Sequence, residues 1–574
     1  MSKARRKGGK PGGPPEKAAG PPVSARTPPA PTQPPTPRPP ALRVLIAVAA
    51  FAPLALLVFL FLLLKAYSLP IHPSDEGIYF YGAKRMAEGA LPYRDFFFAH
   101  PPVHLIVPAL LFKLTGGYHF LVAKSVATFS AAFEGVAACL LVRKLARPGT
   151  PRWLVEGAAV LAAAAILLSE SLLKASATMT GINLAGAFLA GAALLLAHRR
   201  PLAAGIVAGL ATMTLIQAAP VAAVLAVAAW RQGRRPALRY CAGGAALVVL
   251  VHIVFLLIAG GAFLDQVYFY HLAKVGHPGE GSLQVGYLIV DNWTLFVSSA
   301  IGALALALAR RPWVAALAAA AVLLQVIAMA TRPRVFPFYF QPAFVPAAVA
   351  LGLGLTEIGS GLLRGAGSPL GRVRAGVLAA FLVLLMIPLR GPATPVFSSR
   401  RAEQLDTYAK SYRWVDAPLI GSWNGIIRSL FWQGGERVAG EDYNAVTQYL
   451  WQRSRYTDTY PALVAKVREL EAASPGLTLF GDSSLAPSVA LDAGVRIPGD
   501  FVDTNIERFR SGVVKFATVA ALLDAHPLTT LLIDPKSGIG SLPEMQAYIG
   551  EHYVEVARFG DHTGDTQILY QRAR

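Results

Sequence analysis

The sequence predicts an α-helical multi-pass membrane protein with a C-terminal α/β domain outside the membrane, and three observations lead there. Hydrophobic residues make up 54% of the 574-residue chain. Uninterrupted apolar runs of about 18 residues or more, the length that crosses hydrocarbon as helix, recur between residues 42 and 389. Beyond residue 390 ordinary polarity returns, together with most of the acidic side chains. The formal net charge is +20, but the basic residues cluster at the ends of apolar runs. They form neither an amphipathic stripe nor a basic soluble domain, so they act as topology signals rather than as a nucleic-acid surface. The two cysteines, Cys139 and Cys241, both lie in apolar segments and support neither a disulfide framework nor a thiolate metal site.

Residues 1–41 are rich in Pro, Gly and Ala and carry eight basic side chains, from Lys3 to Arg38, against Glu16. Such a tail cannot bury a core and is expected to be disordered in the cytoplasm. It is too long and too Pro-rich for the n-region of a signal peptide, and no small-residue cleavage site follows the run 42–64. That run is read as a retained first helix. Following the arginines span by span then gives a membrane domain over 42–390, with a first external loop at 65–119.

The span near 120–142 returns to Arg143, Lys144 and Arg147, and those near 153–169 and 179–197 form a hairpin returning at Arg199-Arg200. The stretch 201–230 ends at Arg231, Arg234 and Arg235, so it must be two short helices turning near Gln217–Pro220; a single helix would put those arginines outside. Spans near 238–259 and 292–309 flank an external loop, those near 313–330 and 336–356 turn outside at Arg332 and Arg334, and a last span lies near 375–389. About eleven crossings result, with the N-terminus inside and residues 391–574 outside. The latter begin with an aromatic-rich stretch over 408–456. From about 475 they read as α/β: strands at 477–481, 529–534, 553–559 and 567–570, and helices at 486–493 and 543–551. Composition suggests a bacterial chain, placed in the cytoplasmic (inner) membrane.

The membrane half is poor in acid, yet Asp75, Glu76, Glu88 and Asp95 fall in the first external loop. Adjacent carboxylates beside a bilayer are costly to desolvate and usually mark function. The plainest alternative is that Asp75, preceding a helical run, is an N-terminal cap. Glu134 lies mid-span and should face the bundle interior. Tyr268, Tyr270, His271 and His277 stand where they can cover the loop, although tyrosines at an interface are often belt residues.

In order, Asp75-Glu76-x-x-Tyr79, then Pro92-Tyr93-Arg94-Asp95, then His100-Pro101-Pro102 resemble the first external loop of the GT-C glycosyltransferases. The nearest branch holds the protein O-mannosyltransferases and lipid A aminoarabinose transferases. Gly205, Gly209 and Thr214-Leu215 resemble that family's Gly-Leu helix and "TK" turn, with Leu215 in place of lysine. Arg332-Pro-Arg334 to Tyr339 and Pro342 resembles its basic-Tyr-Pro segment.

The resemblance implies a GT-C-type hexosyl- or pentosyltransferase that moves a sugar from a polyprenyl phosphate to a lipid, glycan or protein acceptor outside the cytoplasm. In that reading Asp75 is the general base and Glu76 orients it or raises its proton affinity. Arg332 and Arg334 hold the lipid phosphate. Tyr79, Asp95, His100 and Tyr339 bind substrate, and inversion is expected. His100 stands where aminoarabinose transferases carry a lysine, and Ala99 where they carry a glutamate, so a shared acceptor or metal site does not follow; a divalent metal is left open. A transporter or flippase, or a non-catalytic scaffold for envelope polysaccharide assembly, is the alternative.

The topology is directly testable. A reporter active only outside the cytoplasm should be positive when fused after Ala99, Gly279 or Arg400, and negative after Arg152 or Arg235. Activity at Arg235 would make 201–230 a single crossing and invert every later loop.

Overall fold

The computed structural model describes residues 51–62, 75–167, 181–273, 293–331, 337–365, 456–560 and 566–573, with isolated residues at 169–176 and 368–380. Arg332, Arg334, His277 and the aromatic stretch 408–455 lie outside the described residues. Residues 51–574 form one compact unit. In order, the helices are α1 (Phe51–Leu62), α2 (Glu76–Ala87), α3 (Val103–Leu114), α4 (Phe120–Leu145), α5 (Arg152–Leu167), α6 (Ile182–Ala197), α7 (Pro201–Thr214), α8 (Ala219–Arg231), α9 (Arg234–Ala259), α10 (Trp293–Leu308), α11 (Pro312–Ala330) and α12 (Phe344–Gly365). Phe120–Leu145, Arg234–Ala259, Pro312–Ala330 and Phe338–Leu363 are long and apolar enough to cross a membrane; shorter apolar helices accompany them.

The break expected near Gln217 is present: α7 ends at Thr214, a single 3₁₀ turn spans Ile216–Ala218, and α8 follows. Gln232, just past α8, donates to the Leu196 carbonyl at the end of α6 (2.9 Å), next to where α7 begins. The two helices therefore double back on each other. The glycines of this segment have a packing reason. A Cβ on Gly205 would collide with the Tyr240 carbonyl of α9, and one on Gly209 would press on Gly244 at 3.0 Å. Only small residues let two apolar helices approach this closely, which is how helices associate where the surrounding lipid is as apolar as they are.

The arginines at the helix ends have structural partners. Arg311 donates to the Leu145 carbonyl (2.8 Å), the last residue of α4, and Arg147 donates to the Ala309 carbonyl (2.6 Å) after α10. Both also contact Oε1 of Glu357 on α12, at 3.3 and 3.2 Å. Each guanidinium satisfies the carbonyl end of a helix, where the macrodipole favours a cation, and Glu357 joins the two.

The C-terminal region opens with α13 (Tyr456–Ala473), followed by β1 (Thr478–Gly481), α14 (Ala486–Ala493), α15 (Ile506–Arg510), α16 (Phe516–Ala525), β2 (Thr529–Ile533), α17 (Pro543–His552), β3 (Tyr553–Gly560) and β4 (Thr566–Arg572). The sheet order is β1-β2-β4-β3, with β1 parallel to β2 and the other pairs antiparallel. The fully buried run Thr529–Ile533 is one of the two inner strands.

This region is fastened to α2 and the loop around it. Tyr81, Phe80 and Ile78 of α2 share one apolar cluster with Leu485, Val489 and Ile497. Gly77 lets α2 touch α14, since a Cβ there would meet Ser488 Oγ at 2.5 Å. Arg85 makes a fork to Asp500, Nε to Oδ1 at 2.9 Å and Nη2 to Oδ2 at 2.8 Å, while Tyr81 Oη donates to the same carboxylate at 3.2 Å. The Ile497 amide donates back to Tyr81 at 2.9 Å. Asp500 itself sits at φ 52°, in the left-handed region, beside Gly499 at φ 57°. Asp500→Ala removes the acceptor of a charge-assisted fork and should cost about 2–3 kcal/mol of stability. Asp500→Asn, which keeps the turn, should cost less; thermal unfolding of the full chain in detergent measures both.

Candidate active site

Asp75 occupies the N-cap position of α2, is exposed, and its side chain makes no capping hydrogen bond. Glu76 points the other way. It is 3% exposed and forms an ion pair with Lys124 of α4, itself 1% exposed. Burial pushes the Glu76 carboxyl up to about 7 against the opposing pull of the Lys124 charge. A lysine inside an otherwise apolar span offered no sign in the sequence of where it would find its counter-ion.

Three residues beyond Glu76, Tyr79 turns into a cluster of rings. Its hydroxyl shares a hydrogen bond with His100 Nε2 at 3.1 Å. The His104 ring lies 4.4 Å from it, and His100 in turn stands 5.5 Å from both His104 and His271. The loop geometry that brings His100 here is built from Tyr93, at φ 69°, whose hydroxyl donates to the His100 carbonyl at 2.6 Å. Gln266 clamps the same loop from the short helix after α9, accepting from the Phe98 amide (2.9 Å) and donating to the Tyr93 carbonyl (3.1 Å). His271 Nε2 meets the Ala99 carbonyl at 2.5 Å. Burial, then the fields of Asp75, Tyr339, Asp503 and Tyr270, hold the Tyr79 phenol protonated far above its ordinary range. Burial likewise raises Tyr270, with Asp503, Asp75 and Glu507 adding to it and Arg508 opposing.

Tyr79 and His100, which the sequence reading selects, are thus in contact, Asp75 stands one helical turn before Tyr79, and His271 and then Tyr270 follow on from His100. Asp95 does not join them: its carboxylate accepts from Arg94 Nε (2.8 Å) and from the Leu91 amide (2.8 Å), closing its own turn. Glu134 faces the interior, against an amide; Gln341 donates to it at 2.7 Å and to Asn183 at 2.8 Å, just beyond Tyr339. Tyr268 turns away to His252 of α9 (2.7 Å). Sequence reasoning missed Lys124, His104, Asp503, Glu507 and Arg508. The last three come from the C-terminal region, and no local pattern links them to residue 75. Among the described residues, no group of three His, Cys, Asp or Glu side chains stands in an arrangement able to hold a metal ion.

The Glu76–Lys124 pair makes a two-part prediction. Lys124→Met strands a buried carboxylate and should cost about 3–5 kcal/mol, most of it recovered in the double variant with Glu76→Gln. The wild-type Glu76 carboxyl binds its proton more tightly folded than unfolded. Its contribution to stability is therefore present below pH 4.5 and lost as pH rises through about 7. Melting curves should show the wild type losing ground to Glu76→Gln over that window and running parallel to it above.

No family model matches the sequence, and no curated protein matches it. Among solved structures, ArnT from Cupriavidus metallidurans bound to undecaprenyl phosphate is similar, with a TM-score of 0.55 at 16% identity over 91% of this chain and 98% of that chain. Its apo state gives the same values. A looser likeness is the Archaeoglobus fulgidus oligosaccharyltransferase tethered with an acceptor peptide, at 12% identity and TM-score 0.46, covering 92% of this chain and 74% of that chain. The helices, the loop that gathers Tyr79 and His100, and the C-terminal α/β region are thus arranged as in ArnT, and the two chains share a fold.

Proposed function

We propose that this chain is a membrane glycosyltransferase that moves a sugar from a polyprenyl-phosphate donor to an acceptor hydroxyl outside the cytoplasm. The observation that carries the reading is the placement of Asp75: an exposed carboxylate at the start of a buried helix, one turn before Tyr79, whose amide donates to the Asp75 carbonyl at 3.2 Å. Support for the donor class comes from the fold shared with an enzyme crystallised with undecaprenyl phosphate. The full arrangement we propose has about eleven spans, the N-terminus inside and residues 391–574 outside.

In the reaction, the acceptor O–H loses its proton to Asp75 as its oxygen bonds to the anomeric carbon. The bond from that carbon to the phosphate oxygen breaks, and the polyprenyl phosphate leaves with the electron pair. A single base and an in-line displacement invert the anomeric configuration. Tyr79, kept protonated, can donate a hydrogen bond to a sugar hydroxyl, and His100 fixes the direction of its hydroxyl. Tyr339, whose carbonyl accepts from Gln325 at 2.8 Å, is proposed to bind substrate with Tyr79. Glu76 is a positioning residue: paired with Lys124, it anchors the first turn of α2 and with it Asp75. Arg332 and Arg334 are proposed to meet the charge developing on the leaving phosphate. The sugar, hexose or pentose, and the acceptor, lipid, glycan or protein, are to be identified by assay.

Asp75→Asn separates chemistry from structure. Asn has the same shape and caps a helix about as well, so stability should stay near wild type. It cannot take a proton, so transfer in an assay with radiolabelled polyprenyl-phosphate sugars should fall by roughly 10²–10⁴. The transport and scaffold alternatives both expect unchanged function in this variant, and near-wild-type transfer would exclude Asp75 as the base.

A further inference from the structure

Arg508 lies on α15, in the C-terminal region, and is 5% exposed. Its guanidinium is stacked 3.8 Å from the Phe97 ring of the first external loop and 4.8 Å from Phe501. Among the described residues its side chain makes a single hydrogen bond, from Nη1 to the Asp503 carbonyl, and Nε has no partner. No carboxylate among the described residues forms an ion pair with it. The acid next to it in sequence, Glu507, is 3.3 Å from Arg510 instead. Asp503 acts on it only at longer range, with its Oδ1 accepting from the Asn505 amide at 2.9 Å.

A charge taken out of water without a counter-ion is among the costliest things a fold can hold. Here the cost is met by two aromatic faces, which fix the guanidinium plane and leave its Nε–Nη2 edge without a hydrogen-bond acceptor. That edge is the fork that binds two oxygens of a phosphate. It lies at the seam with the Tyr79 cluster, since Phe97 packs 5.3 Å from Tyr270 and the Arg508 charge is felt by Tyr270.

We propose that Arg508 is an anion-binding residue through which the C-terminal region grips a phosphate ester at the active site. The identity of that ester as the lipid donor rests on the glycosyltransferase reading above. The shared chemistry is a phosphate on a lipid, supplied either by the donor or by a phospholipid headgroup.

The test uses the full chain in detergent, the variants Arg508→Met and Arg508→Lys, and three probes: undecaprenyl phosphate, undecaprenol and phosphatidylglycerol. Wild type should bind the polyprenyl phosphate and not the alcohol. Arg508→Met should weaken that binding at least ~10-fold while Tm holds or rises, because an apolar side chain of similar length relieves the buried charge. Arg508→Lys should restore binding only in part. Unchanged binding in Arg508→Met, with a lowered Tm, would make Arg508 an interdomain strut and overturn the inference while leaving the donor reading intact. Arg508-dependent binding of phosphatidylglycerol alone would support the anion site and overturn the donor. Binding of neither phosphate ester by wild type would overturn both.

Discussion

What α2 packs against decides everything at this site. The helix is twelve residues long, and the eight from Glu76 to Ala83 are buried. One side is held to the membrane helices through Glu76 and Lys124, the other to the C-terminal region through Gly77, Tyr81 and Arg85. A helix this short has little stability of its own, and its two partners supply what it lacks. Asp75 stands at its exposed tip because both flanks are committed. An ionisable group on a rigid support can be aimed; one on a free loop cannot.

The same economy of charge runs through the molecule. Arg147 and Arg311 close helix ends and meet at Glu357, Glu134 is bonded by Gln341, and Glu76 is met by Lys124. Where low dielectric makes a lone charge expensive, nearly every buried one has a compensating group. Arg508 departs from that rule, and the departure occurs beside the cluster that also gathers Asp75, Tyr79 and Tyr270.

Much of this could be read from the chain. The arginine clusters forced a break near Gln217, and the helices part at Leu215. The βα alternation after residue 475 gave strands and helices within a few residues of those observed, because apolar runs bounded by Gly and Pro are local signals. The meeting of Tyr79 and His100 was legible since the two are near one another in sequence. Pairings across the fold were not. Lys124 lies 48 residues from Glu76 along the chain, Asp500 is 415 from Arg85, and Arg508 is 411 from Phe97. Spacing and periodicity describe a single element's surface; they do not say which other surface will meet it. Asp95 fell the other way, since a carboxylate next to an arginine in a tight turn closes that turn.

The fork between Arg85 and Asp500 also bears on how the chain is made. Its partners are separated by 415 residues. At roughly 5–20 residues per second, synthesis of that interval takes on the order of 20–80 s. Through most of that time α2 has its partner on the helical side, Lys124, but not α14 or the 497–500 turn, so Tyr81 and Ile78 wait with one face uncovered. The segment that emerges among the earliest is thus among the last to reach its final form. A nascent chain halted before residue 500 would hold every spanning helix named here and still lack a finished active-site loop.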